Sequence, residues 1–230
     1  MSFVIITRWS SVNTLESGFN SRSASTYEEG TIRDITDALI RAKQEAEMED
    51  SSVRGMLDVK LIMETLADLT VAGTDTTTKF LTWSLLYLAS FPDVQVKIHQ
   101  QLDNFIGFDR LLRLQDKSSL PYLEATTMEI MQLFITTQNT FDPMQFLDDD
   151  GNFVCPATFS FIPFGGGPRG CVGQSLARIE FFLFLAGLLQ EFRPEFRAGS
   201  ALPDLEPPPE SISRGNLTPR PDKLCFTKRH

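Results

Sequence analysis

A single cysteine stands among glycines in Phe164-Gly165-Gly166-Gly167-Pro168-Arg169-Gly170-Cys171-Val172-Gly173. Glycines remove side chains that would collide with a flat, bulky group, and they permit positive φ. A helix starting near Val172 would aim free backbone N–H groups and a positive dipole end at the sulfur, favouring thiolate over thiol. A second run, Ala72-Gly73-Thr74-Asp75-Thr76-Thr77, lies inside a long apolar helical pattern. Glycine there costs up to ~1 kcal/mol relative to alanine. From the residues alone the run reads as a kink at a packing contact. Two other readings of the cysteine loop compete. Gly165, Gly167 and Gly170 satisfy G-x-G-x-x-G, which marks a dinucleotide site only between a buried strand and a helix. Pro163 and Pro168 interrupt that context, and no second strand pattern follows Gln190-Glu191-Phe192-Arg193-Pro194. An inert, core-filling Cys171 leaves the surrounding glycines unexplained.

The loop matches Phe-x-x-Gly-x-Arg-x-Cys-x-Gly at every fixed position, and the helical run matches [Ala/Gly]-Gly-x-[Asp/Glu]-Thr-[Thr/Ser]. On these two motifs, in this order, the chain resembles a cytochrome P450; Tyr27 to Arg41, Pro121 to Glu129 and the loop region are similar to the microsomal branch, nearest the steroid hydroxylases and the family-1 xenobiotic enzymes. The resemblance implies heme b (iron protoporphyrin IX) with Cys171 as the iron ligand. It implies Arg169 as a propionate contact, Phe164 beside the thiolate, and Gly167 and Gly173 holding the loop. Asp75 and Thr76 would handle protons and dioxygen. The implied activity is a haem-thiolate monooxygenase that hydroxylates a lipophilic substrate, a steroid or an aromatic xenobiotic. NADPH-cytochrome P450 reductase would supply electrons from the cysteine side, and the family's place is the endoplasmic reticulum membrane.

The sequence also departs from that family. The resemblance covers about Thr31 to the C-terminus, the later part of a P450. Neither the membrane anchor nor the helix supplying propionate partners has a counterpart in the sequence. The family's Glu-x-x-Arg reads Glu129-Ile130-Met131-Gln132, and its partner loop reads Phe141-Asp142-Pro143-Met144-Gln145-Phe146, with Gln145 at the arginine position. Few residues separate Phe134 from Phe141, where the family has a helix and pocket-lining strands. A buried carboxylate without its cation costs roughly 3–5 kcal/mol, although Gln132 and Gln145 can donate hydrogen bonds to Glu129. Weak haem retention is therefore expected. The chain reads as a fragment, splice product or degraded form, and the alternative function is an inactive remnant serving as an inert or interaction module.

The elements that must position these residues are mainly helical. With 230 residues, 42% hydrophobic and 22% charged, the composition is that of an ordinary globular protein. A formal charge of −9 argues against nucleic-acid binding, which wants a basic stripe, and gives no support for a basic docking face. Cys155, Cys171 and Cys225 lack paired spacing, so neither a disulfide framework nor a zinc cluster follows. Cys155 and Cys225 read as exposed. His99 and His230 are the only histidines, so a haem would rely on Cys171. No stretch reaches the ~18 apolar residues of a membrane span.

Residues 1–30 read as an irregular N-terminal segment and 31–230 as one partial P450 domain with its haem-binding loop at 164–173. Ile32, Ile35, Leu39 and Ile40 recur at helical spacing from Thr31. Asp58 caps a helix to about Ser90, Pro92 opens the next, and further helices cover about Tyr122–Phe134 and Gln174–Glu191. The last of these aligns Leu176, Ile179, Leu183 and Ala186. Lys223–Thr227 reads as one short strand. The fold class is mainly α, the C-terminal part of the P450 fold with little residual β-structure.

Overall fold

Helix boundaries fall where caps and prolines put them. The computed structural model describes residues 31–48, 58–133, 140–155, 162–199, 205–206, 218–219 and 224–229; the expected irregular segment 1–30 lies outside them. Five helices are present among the described residues: α1 (Ile35–Met48), α2 (Val59–Ser90), α3 (Pro92–Phe105), α4 (Pro121–Leu133) and α5 (Gln174–Glu191). Two strands, β1 (Phe192–Phe196) and β2 (Leu224–Lys228), pair antiparallel with Pro194 opposite Phe226. By internal contacts the chain divides into two compact units, Met1–Thr74 and Asp75–His230. The division falls within α2, in the Ala72–Thr77 run.

In the first unit, the Asp34 side chain accepts the backbone N–H groups of Thr36 and Asp37 at 2.9 and 3.1 Å, which caps α1. The apolar stripe expected for this helix is only half right. Leu39 and Ile40 pack on buried Ile62 and Met63, whereas Ile32 and Ile35 are exposed. The buried residue of α1 is Asp37, gripped by the Arg33 guanidinium at 2.7 and 3.0 Å. That bidentate pair makes burial of a carboxylate tolerable. Asp58 caps α2 as its sequence position suggests, accepting from the Leu61 N–H at 2.7 Å.

The second unit is built on two apolar layers. Leu88, Ile98, Leu102, Leu123, Phe182, Leu185 and Leu189 form one. Phe80, Trp83, Met128, Ile130, Phe146 and Phe181 form the other. The α5 stripe read from sequence is rotated from the observed one: Leu176 is exposed, while Phe181, Phe182, Leu185 and Leu189 are buried. Glutamines close the helix ends. Pro121 brings no N–H to the start of α4, and the Gln101 side chain accepts the next two, from Tyr122 and Leu123, at 3.1 and 3.3 Å. Gln190 donates to the carbonyls of Gly107 and Arg110 at 2.9 and 2.8 Å.

A strand directly after α5 corrects the sequence expectation that none follows Pro194. Proline is tolerated because each member of a two-stranded sheet is an edge. The free carbonyl of Pro194 accepts from Gln95 at 3.0 Å. Arg229, after β2, donates to the last carbonyls of α5 (Leu189 and Gln190, both 3.1 Å) and to Asp103 of α3 at 2.7 and 2.8 Å. It thereby ties the end of β2 to two helices.

Candidate functional site

The glycine loop is a folded device. The Gly165 N–H donates to the Ile162 carbonyl at 2.9 Å, that of Gly170 to Gly167 at 3.0 Å, and that of Cys171 to Phe164 at 2.8 Å. Gly165 and Gly167 have φ of 68° and 66°, a region costly to residues with a Cβ. A Cβ on Gly170 would stand 3.3 Å from the Gly167 carbonyl oxygen. On Gly166, Gly167 and Gly173 it would meet nothing within 4 Å, so this face of the loop is open. Cys171 and Arg169 are exposed on the same loop. Phe164 is half-buried, with the Arg178 guanidinium 5.4 Å from its ring centre.

Two expectations shift. The helix after the cysteine begins at Gln174, as its apolar run suggested, behind a turn at Val172–Gly173, and not at Val172 beside the sulfur. Cys155 and Cys225 are exposed, and so is Cys171. The folded loop, not exposure, sets Cys171 apart.

Asp75 and Thr76 are exposed on α2. Asp75 is ion-paired with Lys79, one helical turn on. The helix is continuous through Gly73, the weak point of the sequence. A propensity loss of ~1 kcal/mol does not break a 32-residue helix, although residues 70–76 are exposed. Next to Thr76, the Thr77 hydroxyl donates to Glu180 of α5 at 3.4 Å, a long contact. Phe80 and Phe181 stack one turn further, with centroids 3.8 Å apart. The two motifs thus lie on neighbouring helices, α2 and α5, joined by these contacts.

Glu129 on α4 is fully buried. It accepts from the Asp142 N–H at 2.8 Å and from the Gln145 side-chain amide. Gln145 therefore reaches Glu129 from the loop position where the family carries arginine, with an amide in place of a charge. Burial pushes the Glu129 carboxyl above the ordinary carboxylate range; the two donors pull it back in part, and Asp142 adds to the rise. Tyr87 is raised as well, by burial first and then by Glu129.

Sequence reasoning missed His99, buried on α3 and lowered to about 4 by burial and then by the charges of Arg229 and Arg193. It also missed a cavity of about 90 Å³ bordered by Met128, Met131, Phe182, Arg178, Lys117 and Glu124. Sites for drug-sized ligands run to ~300–1,000 Å³, so this cavity is not a substrate pocket. No signal short of the tertiary structure points to either.

The donor set fits the haem that the resemblance implies. A thiol on an open glycine loop suits the iron of a planar group, and the Arg169 cation is exposed on the same loop. Among the described residues no helix is long and apolar enough to cross a membrane.

The Cytochrome P450 family pattern matches residues 12–138 and 134–226. The chain is 35% identical to a steroid 17-alpha-hydroxylase/17,20 lyase of Ictalurus punctatus, over 78% of this chain and 43% of that protein. A protein of the same name from Squalus acanthias is 32% identical over 84% of this chain and 46% of its own length. Cytochrome P450 2U1 of Homo sapiens is 32% identical over 86% of this chain and 42% of its own length. The chain spans less than half the length of these curated relatives.

Proposed function

The chain belongs to the cytochrome P450 family, and on that premise we propose that it carries the haem-binding, oxygen-handling part of a monooxygenase acting on a lipophilic substrate. The observation that carries the reading is the loop that staples the Cys171 backbone to Phe164 and leaves the cysteine exposed on an open glycine loop. Heme b, when bound, supplies the redox chemistry by which dioxygen, two electrons and two protons become a hydroxyl group on substrate and water.

The chain's own residues have the remaining roles. Cys171 is the protein ligand to iron. Gly167 and Gly173 keep the loop clear of the macrocycle, and Phe164 shields one side of the sulfur. Arg169 meets a propionate, a charge-assisted contact. On α2, Thr76 offers a hydroxyl that both donates and accepts, and Asp75 carries protons inward from solvent. Steroids are the favoured substrate class, because steroid 17-alpha-hydroxylases are among the relatives; an aromatic xenobiotic is the second class. NADPH-cytochrome P450 reductase is the electron donor and the endoplasmic reticulum membrane the location.

A second reading rests on Glu129, whose loop partner Gln145 is a neutral amide. Without a cation there, the chain is an inactive remnant of the family that folds but holds haem poorly.

Hemin titration of the expressed chain, followed by the reduced carbon-monoxide spectrum, separates the two. A thiolate-type band at near-stoichiometric haem, lost in Cys171→Ala and retained in Cys155→Ala and Cys225→Ala, is expected for the first. The same band in Cys171→Ala refutes the ligand assignment. Failure to retain haem at all supports the remnant.

A further inference from the structure

Ion pairs one turn apart recur in this chain; Arg33–Asp37 withdraws its carboxylate from water, and one other withdraws its cation. Arg41–Glu45, Lys43–Glu47 and Lys60–Glu64 lie on solvated faces, their cationic side chains 48%, 30% and 81% exposed. Lys79, paired with Asp75, is only 11% exposed, although Asp75 itself is 49% exposed. Solvated pairs exchange their partners for water at little cost. An ammonium withdrawn this far from water needs partners to hold its charge, and Asp75 is one of them. The order along the helix, carboxylate before ammonium, is also the favourable one. Lys79 precedes Phe80, whose ring is stacked on Phe181 of α5, so its stem leaves α2 where the backbone is packed. The carboxylate is thus held from a rigid stretch of helix, while its own turn contains Thr76, Thr77 and Thr78.

We infer that Lys79 is a positioning residue: its nearly buried ammonium holds the Asp75 carboxylate to α2 and sets where Asp75 stands beside Thr76. The catalytic consequence rests on the reading of Asp75 and Thr76 as the proton-handling pair. The tether itself rests on the ion pair and its burial. A tethered carboxylate takes and gives protons from one place, whereas a free one spends most of its time turned elsewhere in solvent.

Two substitutions divide the functions of the side chain. Lys79→Met keeps the stem and removes the charge, and Lys79→Arg keeps a cation. Solution NMR of the chain without haem reads the Asp75 side chain through its Cβ–H couplings and carboxyl-carbon relaxation. One ordered rotamer is expected in the native and Lys79→Arg chains, and rotamer averaging in Lys79→Met. Equal order in Lys79→Met, or averaging already in the native chain, overturns the inference. Should Lys79→Met fail to fold, Asp75→Asn decides. Amine-labelling of Lys79 becomes several-fold faster there if the ammonium has lost its anchor, and unchanged labelling overturns the tether.

In the hemin-loaded chain, product formed per electron is expected to fall about tenfold to a hundredfold in Lys79→Met, the effect of a misplacement of ~1 Å, and to return in Lys79→Arg. Lost Asp75 order together with unchanged product per electron in both Lys79→Met and Asp75→Asn keeps the tether and refutes the proton-handling reading.

Discussion

Replacing Gln145 with alanine tests how a carboxylate survives in this core without a cation on the loop that faces it. Glu129 is fully buried and accepts from the Asp142 N–H at 2.8 Å and from the Gln145 amide. Removing a hydrogen bond to a charged group costs ~1.5–3 kcal/mol. Gln145 itself is exposed, so water reaches the vacated place and the lower end, ~1.5 kcal/mol, applies. At ~2–4 °C per kcal/mol for a domain of this size, the melting temperature falls by about 3–6 °C near neutral pH. The pH dependence has a definite sign. Burial raises the Glu129 pKa in the folded state, so its contribution to stability is fully present below the ordinary carboxylate range and is lost as pH rises through the raised value. Gln145 lowers that pKa by bonding the ionised form, so its removal matters most when Glu129 is charged. Thermal unfolding of native and Gln145→Ala chains, followed by circular dichroism at pH 7 and near pH 4, reads both quantities. The gap between them is expected to narrow at the lower pH. An equal gap at both values, or none at pH 7, refutes the reasoning.

Other expectations follow from the same packing. Phe181→Ala removes the ring stacked on Phe80 and opens a cavity between α2 and α5, lowering stability by ~3–5 kcal/mol; urea unfolding measures it, and a loss under ~1 kcal/mol would mean that the site collapses freely. Arg229→Met takes away the donors to Asp103 and to the last carbonyls of α5. Amide hydrogen exchange in β2 is expected to accelerate while α4 stays protected, and unchanged exchange in β2 would show that the sheet holds itself.

Much of the helical frame is legible in the sequence because the signals are local. Asp58, Pro92 and the apolar runs mark the ends of α2, α3 and α5 to within a residue or two. The cysteine loop is legible for the same reason, since positive φ at Gly165 and Gly167 leaves its mark in residue type. What escapes is held by partners distant in the chain. Asp37 is buried because Arg33 holds it, and strand β1 exists because residues 224–228 return to pair with it. The outward turn of Leu176 depends on which helices cover α5. A hydrophobic period shows that a helix has a buried side, but neighbours decide which of two overlapping stripes it is.

The same division explains why the missing arginines do not foretell a collapsed core. Counting an unpaired buried carboxylate from sequence gives a penalty of ~3–5 kcal/mol, a large fraction of the ~5–15 kcal/mol by which a domain is stable. In the fold Glu129 has a backbone donor from Asp142 and an amide from Gln145, so the loss is the difference between a cation and a neutral donor. That difference is smaller than the whole penalty and bears on rigidity rather than on the fold. Near the cysteine loop it matters because Met128 and Met131, on the same helix as Glu129, border a cavity that Arg178 of α5 also lines. A looser α4 would reach the loop through α5. Haem affinity, not folding, is therefore the quantity on which a working oxygenase part and an inactive remnant part company.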